Sequence, residues 1–109
     1  MTFQIGSTLL DACVLAILHK EDAYGYKLTQ EVKDILSVSE STLYPVLRRL
    51  MKEGLLDTYD QEHMGRNRRY YRLTNNGKDQ YQFYVVEWSS FRETIDSLLK
   101  REDEADDAK

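Results

Sequence analysis

Apolar residues recur at intervals of three and four positions through the first third of the chain, which is the spacing of one helical face. This pattern predicts a first helix from Ser7 to Lys20 and a second from about Tyr24 to Leu36. The polar stretch "SVSES" then separates the second helix from the next apolar pattern. The first third is therefore expected to hold two amphipathic helices that each bury one face.

A third helix is expected to begin at Glu40. Ser39 is a good N-cap, and Val38 and Leu43 have the spacing of a hydrophobic staple around it. Gly54 follows the last apolar position, where a left-handed cap is favoured. The pattern therefore predicts one amphipathic helix that ends just before this glycine.

The polar face of the third helix carries hydroxyl and cationic side chains, which suit the phosphates and base edges of DNA. The candidate DNA-contacting residues on this helix are Ser41, Thr42, Tyr44, Arg48 and Lys52. Charged residues on a helix more often only form its solvated side. On this helix the cations are grouped beside hydroxyl side chains, which favours DNA contact. Arg49 lies nearer the flank and is expected to pair with an acidic residue instead.

The only proline in the chain, Pro45, falls inside the predicted third helix. With Ser39 as the cap it is the sixth helical residue, so the hydrogen bond to the carbonyl of Ser41 is lost. Pro45 lies between Tyr44 and Arg48 on the candidate DNA-contacting surface. We hypothesise that the proline shapes the end of the helix that reads DNA.

After the third helix come two runs rich in β-forming residues, "LLDTYD" and "RRYYRLT", on either side of "QEHMGRN". The glycine and asparagine between them suit a turn, so this segment predicts a hairpin with a basic tip. Strand alternation places Arg68 and Arg69 on opposite faces. We expect Arg66 and Arg68 to contact phosphate or the minor groove, with Arg69 the weaker candidate; alternatively, these charges only keep the hairpin soluble. Tyr70 and Tyr71 are expected mainly in the hairpin core.

Thr74 is a candidate cap for a last helix, and Gly77 near its start allows close packing against a neighbour. From there apolar residues alternate spacings of three and four without a break, which is an a/d heptad seam. The seam residues are Tyr81, Tyr84, Trp88, Phe91, Ile95 and Leu98. The seam can pack on the rest of the domain or on another chain. The second is favoured, because little protein remains to cover so long a helix.

Length and charge narrow the class of protein. The chain has 109 residues, enough for one domain with a modest core. Its net charge is −4, yet residues 44–78 hold eight basic and four acidic residues, and residues 102–109 hold one basic and five acidic. A basic band in an otherwise acidic protein indicates a nucleic-acid binder. The end at 102–109 is expected to be an acidic disordered tail.

Other function classes find little support in the sequence. A single cysteine, Cys13, excludes an internal disulfide and a cysteine metal cluster, which fits a reducing cytoplasm. His19 and His63 lack metal-ligand spacing, so no metal or other cofactor is expected. No apolar run is long enough to cross a membrane, and no signal peptide is visible. No phosphate-binding loop or ordered nucleophile indicates an enzyme.

These elements predict a mainly α fold of the α+β class, a winged helix-turn-helix with a long C-terminal dimerisation helix. The DNA-binding domain is expected at residues 1–74 and the dimerisation helix at 75–101. The third helix would enter the major groove of double-stranded DNA, and two copies would read the half-sites of an inverted repeat. The alternative is a winged-helix protein-interaction module without DNA binding, against which the concentrated basic charge argues.

Three segments resemble successive signatures of the PadR family of transcriptional regulators: "AYGYKL" at 23–28, "SESTLYPVLRRLMKEGLL" at 39–56 and "GRNRRYYRLTNNG" at 65–77. The resemblance extends from about residue 8 to about residue 100, and the single final helix resembles the smaller of the family's two size classes. Family patterns often have Glu or Lys where Met51 and Arg69 stand. The resemblance implies a homodimeric repressor that releases its operator when a ligand or stress signal arrives.

Trp88 has two interpretations that the sequence leaves open. It can anchor the dimer seam by packing alone. In small PadR-like proteins that bind planar drugs, a tryptophan at a similar place on the last helix stacks aromatic ligands at the dimer centre. The resemblance therefore implies that Trp88 can bind a small, flat aromatic or cationic effector.

Overall fold

The computed structural model describes residues 6–101 as four helices and three strands. Their order is α1 (Ser7–Lys20), β1 (Ala23–Tyr24), α2 (Gly25–Leu36), α3 (Glu40–Lys52), β2 (Leu56–His63), β3 (Arg66–Leu73) and α4 (Asn75–Lys100). This is a mainly helical winged helix-turn-helix with a long last helix, so the expected fold class is confirmed. The expected acidic tail at 102–109 lies outside the described residues.

The core lies where the first three helices meet the inner face of the sheet. Its fully buried side chains come from all three helices, and Leu56 and Leu73 close it from the sheet side. These two leucines stand opposite each other in the β2–β3 ladder. Burying each aliphatic side chain of this size contributes about 1.5–3 kcal/mol. The core thereby fixes α3 with one face inward and one face in solvent.

The caps of α3 are where the sequence predicts them. The Ser39 hydroxyl accepts a hydrogen bond from the Thr42 amide at 3.3 Å, and Gly54 adopts a left-handed φ of 78°. The helix runs through Pro45 without ending. Because proline has no N–H, the carbonyl of Ser41 receives no helical hydrogen bond from residue 45.

The hairpin is longer and its turn tighter than the sequence indicated. β2 and β3 pair along their full length, with His63 opposite Arg66 at the tip, so the predicted seven-residue connection "QEHMGRN" is wrong. Only Met64 and Gly65 form the turn, with φ values of 52° and 78°. Two residues of positive φ are typical of a type I′ turn, whose twist matches that of the flanking strands.

A strand that the sequence did not indicate, β1, lies beside the hairpin. The sheet order is β1-β3-β2 with antiparallel pairing, and Tyr24 stands opposite Tyr70. Because Tyr24 belongs to this strand, α2 begins at Gly25, one residue later than expected. β1 therefore ties the start of α2 to this hairpin of β2 and β3, which is the wing of the fold.

The start of α4 is fixed by a cap and by a close backbone contact. The Thr74 hydroxyl accepts a hydrogen bond from the Gly77 amide at 3.0 Å, as expected for a cap. A Cβ at Gly77 would lie 2.1 Å from the Leu55 carbonyl oxygen, so only glycine permits this approach. Beyond Tyr84, α4 extends away from the core. The radius of gyration is 17.7 Å, against about 13 Å for a compact domain of this size.

Candidate nucleic-acid interface

α3 presents its polar face to solvent because its apolar face lies in the core. The buried residues of the helix are Leu43, Val46, Leu47 and Leu50. The candidate DNA-contacting residues Ser41, Thr42, Tyr44, Arg48 and Lys52 are all exposed. Spacings of four residues place Tyr44, Arg48 and Lys52 along one outward stripe. The structure therefore brings the predicted α3 residues to one accessible surface.

The first turn of α3 groups three hydroxyls. The Ser39 Oγ lies 2.9 Å from the Ser41 Oγ and 3.0 Å from the Thr42 Oγ1. The carboxylate of Glu40 is turned toward α2, where it accepts a hydrogen bond from the Gln30 amide at 2.9 Å. Hydroxyls together with the amides of a helix N-terminus are groups that bind phosphate oxygens.

Two neighbouring arginines of α3 have different surroundings. Arg49 pairs with the buried carboxylate of Asp11 on α1 and, at 3.5 Å, with Glu53. The hydrogen bond to Asp11 raises the pKa of Arg49 above its ordinary value. Arg48 and Lys52 pair with no carboxylate of the described residues. Arg49 thus pairs with acidic residues, as expected, and its bond to Asp11 joins α3 to α1, whereas the charges of Arg48 and Lys52 remain available.

The arginines of the wing divide in the same way. Arg69 pairs with Asp60 at 3.5 Å, and Arg72 pairs with Asp57 at 2.7 Å on the opposite face. Arg66 is exposed and has no ion pair with a described residue. The remaining one, Arg68, has its guanidinium carbon 4.2 Å from the centroid of an aromatic ring rather than beside a carboxylate.

The outer face of the sheet carries an aromatic cluster that the sequence analysis missed. The rings of Tyr59 and Tyr70 stack with centroids 5.4 Å apart, and the Tyr24 ring lies 5.9 Å from that of Tyr70. Of the two tyrosines expected in the hairpin core, only Tyr71 packs there. Strand alternation could have separated Tyr70 from Tyr71, but the two residues of β1 carry no pattern that would have placed Tyr24.

The structure divides the predicted seam of α4 into two parts. Tyr81 and Tyr84 pack against the core of their own chain, and the Tyr81 ring stacks on His19 with centroids 4.2 Å apart. Farther along, Trp88, Phe91 and Leu98 are 47%, 58% and 52% exposed, and Ile95 is half-buried. Beyond Tyr84, therefore, the described residues of the chain leave the apolar side chains of the seam only partly covered.

Trp88 lies between two open apolar grooves formed mainly by α1 and α4. The first has a volume of about 500 Å³, and its lining includes Leu9, Ala12, Phe91 and one charged residue, Glu87. The second has a volume of about 420 Å³, and its lining includes Cys13, Ala16 and Val85. Burial raises the pKa of the Cys13 thiol, which keeps that wall uncharged. The indole thus offers a flat apolar surface to both grooves.

Residues 6–101 show no sign of two other kinds of site, a metal centre and a membrane span. No group of three or more His, Cys, Asp and Glu side chains in that range is placed to hold a metal ion. Among the same residues, none of the helices has the length and apolar character that a bilayer crossing needs. The side chains gathered on α3 and the wing are instead cations, hydroxyls and aromatic rings.

Residues 14–82 match the family described as "Transcriptional regulator PadR-like family". The chain is 33% identical over 96 residues to a protein of Lysinibacillus sphaericus, a match that covers 84% of this chain and 88% of the other. It is also 43% identical over 68 residues to the transcriptional regulator Rv3488 of Mycobacterium tuberculosis, which covers 59% of this chain and 64% of the other.

Solved structures give the same result. A Streptococcus mutans protein is 44% identical with a TM-score of 0.85, over 92% of this chain and 94% of the other. A PadR family transcription regulator from Clostridium difficile is 31% identical with a TM-score of 0.77, over 83% of this chain and 97% of the other. Members of this family are transcriptional regulators and not enzymes. With a match that spans most of its length, the chain belongs to the PadR-like family of transcriptional regulators.

Proposed function

We propose that this chain is a homodimeric, sequence-specific DNA-binding repressor that acts in the cytoplasm. The observation that carries the proposal is the distribution of unpaired positive charge. The cations without a carboxylate partner among the described residues of α3 and the wing are Arg48, Lys52, Arg66 and Arg68. Because these charges lie on the two elements that enter and flank the major groove in winged-helix proteins, DNA is the partner that they fit.

The side chains of α3 divide by the chemistry they offer. Arg48 has the planar fork that binds a guanine edge through two hydrogen bonds. The hydroxyls of Ser41, Thr42 and Tyr44 suit phosphate oxygens and base edges, and Lys52 supplies a point charge to the backbone. Two copies of this surface would read the two half-sites of an inverted repeat.

On the wing, Arg66 and Arg68 suit phosphate or minor-groove contact. Arg69 shares its charge with Asp60, so we assign it the smaller contribution. Because phosphate contacts displace counterions, the affinity for duplex DNA depends on salt. If each protomer neutralises about four phosphates, the logarithm of the dimer's affinity falls against the logarithm of salt concentration with a slope of roughly −7. Fluorescence anisotropy with labelled duplex measures this slope, and a value near zero would remove DNA as the partner.

A second copy of the chain is the proposed cover for α4. Phe91 and Leu98 are more than half exposed, on the same stripe as Trp88. An exposed apolar strip of this extent on a small protein marks an interaction surface. A two-fold axis at this strip would join the two seams and place one copy of α3, the proposed recognition helix, on each side.

The proposed effector is a small, flat, aromatic cation that binds at Trp88 and releases the operator. The indole supplies a stacking face, and the Glu87 carboxylate supplies the negative charge in the adjacent groove. Titration of the protein with planar cationic dyes should quench the only tryptophan and lower operator affinity in parallel. In Trp88→Phe the release should weaken. Saturable release with unchanged tryptophan fluorescence would place the effector elsewhere.

A further inference from the structure

Two wing arginines lie over aromatic rings, and one of them, Arg72 over the Tyr59 ring at 5.0 Å, is also bonded to the carboxylate of Asp57. The other, Arg68, contacts a ring and pairs with no carboxylate of the described residues. Its guanidinium carbon lies 4.2 Å from the centroid of the Tyr24 ring, and the residue is half-buried, whereas Arg66 and Arg69 are exposed. The strand register explains the contact. Tyr24 of β1 stands opposite Tyr70 of β3. Arg68 lies two residues before Tyr70 in β3, so its side chain is on the same face of the sheet as those of Tyr70 and Tyr24.

The ring holds the side chain without neutralising its charge. The residue opposite Arg68 in β2 is Gln61, an uncharged side chain, whereas Arg69 and Arg72 are each bonded to a carboxylate of β2. A cation–π contact uses the flat face of the guanidinium and leaves the N–H groups at its edge directed outward. Those N–H groups are the ones that bind a phosphate.

Tyr24 is itself fixed in place. Its ring lies 5.9 Å from the ring of Tyr70 and 6.4 Å from that of Tyr26, and its backbone pairs with β3 immediately before α2 begins. The contact with Arg68 therefore joins the wing to the start of α2, which packs on α3. It sets one wing charge at a constant position relative to the recognition helix.

We propose that Tyr24 is a positioning residue for DNA binding: its ring preorganises the guanidinium of Arg68 for a phosphate of the DNA backbone. The inference rests on the DNA-binding function proposed above. A long side chain that is already ordered loses less entropy when it binds. Removing the ring should therefore weaken binding while the charge and the number of phosphate contacts stay the same.

The test measures the affinity for a mixed-sequence duplex across salt concentrations, since a phosphate contact does not depend on sequence. Tyr24→Phe retains the ring and should leave the affinity unchanged. Tyr24→Leu should weaken binding by about five- to tenfold for the two copies of the dimer, with an unchanged salt slope. Arg68→Ala should also make the slope less steep by about 2, one contact per protomer.

The double variant Tyr24→Leu/Arg68→Ala should bind no more weakly than Arg68→Ala alone. Phe83→Leu is the matched control, because Phe83 is an exposed aromatic residue of α4, outside the wing, that has no guanidinium over its ring. Additive losses in the double variant, or tighter binding by Tyr24→Leu, would overturn the proposal. Tighter binding would mean that the ring withholds Arg68 from DNA.

NMR detects the contact between the ring and the guanidinium directly, so this test does not rely on a loss of affinity that a disturbed fold could also cause. The side-chain protons of Arg68 should show an upfield ring-current shift in the wild type and in Tyr24→Phe, and the shift should disappear in Tyr24→Leu. If Tyr24→Leu does not fold, Tyr24→Met removes the ring with an unbranched side chain.

If Arg68→Ala binds as the wild type does, the inference fails but the proposed function stands as long as Arg48→Ala weakens binding. Absence of DNA binding by the wild type would contradict both.

Discussion

At the scale of single residues, Arg48 and Arg49 show how one position along a helix changes the role of a charge. Arg49 is directed toward α1 and bonds the buried Asp11, whereas Arg48 is exposed and pairs with no described carboxylate. The sequence alone predicts different roles for the two arginines, because the helical period places only Arg48 on the stripe with Tyr44 and Lys52.

Arg48→Ala should weaken binding to the operator more than binding to random duplex. A bidentate contact from arginine to guanine contributes about 1–3 kcal/mol of discrimination between bases, which random DNA does not offer. Arg92→Ala removes the same charge from an exposed position on α4 and is the matched control. Competition binding with specific and random duplexes measures both affinities. Equal losses on the two DNAs would assign Arg48 to phosphate only.

At the scale of elements, both ends of α3 lie where its sequence predicts them. Its cap at Ser39 and its left-handed end at Gly54 follow from local chemistry, whereas the helix continues through Pro45 although proline removes one of its hydrogen bonds. β1 could not be predicted, because two residues cannot show an alternating pattern. The turn of the wing was misplaced because Met64, with a φ of 52°, is not a residue that favours this conformation.

Pro45→Ala should raise the stability of the protein or leave it unchanged, while altering operator preference. Alanine restores an N–H that can bond the carbonyl of Ser41, and an interior proline costs a helix about 3 kcal/mol. The altered first turn would then re-aim Ser41, Thr42 and Tyr44. Urea unfolding and DNA selection by the variant check the two halves of this expectation. An unchanged preference would mean that the proline is only tolerated.

The ion pair between α1 and α3 should contribute more to stability than the ion pairs of the wing. Arg49→Met leaves the buried carboxylate of Asp11 without its cation, so we expect a loss on the order of 2–3 kcal/mol. Arg69→Met is the control, because both partners in its pair with Asp60 are at least half exposed and such pairs contribute about 0–1 kcal/mol. Thermal or urea unfolding measures both. Equal effects would show that the Asp11 contact has no special weight.

At the scale of the whole molecule, the seam of α4 illustrates the limit of a sequence pattern. Heptad spacing identifies which residues share an apolar face, but the pattern does not say what covers them. The structure shows that α1 of the same chain covers part of Tyr81 through His19, while Phe91 and Leu98 remain more than half exposed. The outer face of the sheet was missed for a related reason, since it is assembled by strand pairing between distant segments.

Phe91→Glu should convert the proposed dimer to a monomer, because it places a charge in the apolar strip that a second copy would cover. Val86→Glu is the control: Val86 is 65% exposed on the opposite side of α4, and the dimer should persist. Sedimentation velocity at several protein concentrations measures the outcome. A wild-type protein that sediments as a monomer throughout would remove the second copy as the cover for this strip.

The most direct measurement of the central claim is the selection of bound duplexes from a random DNA pool. A symmetric dimer that reads DNA with α3 should enrich an inverted repeat whose half-sites lie about one helical turn apart. Selection with Arg48→Ala should relax the base preference at one position in each half-site. Enrichment of a single unrepeated site would contradict the symmetric dimer, and failure to enrich any sequence would contradict sequence-specific recognition by α3.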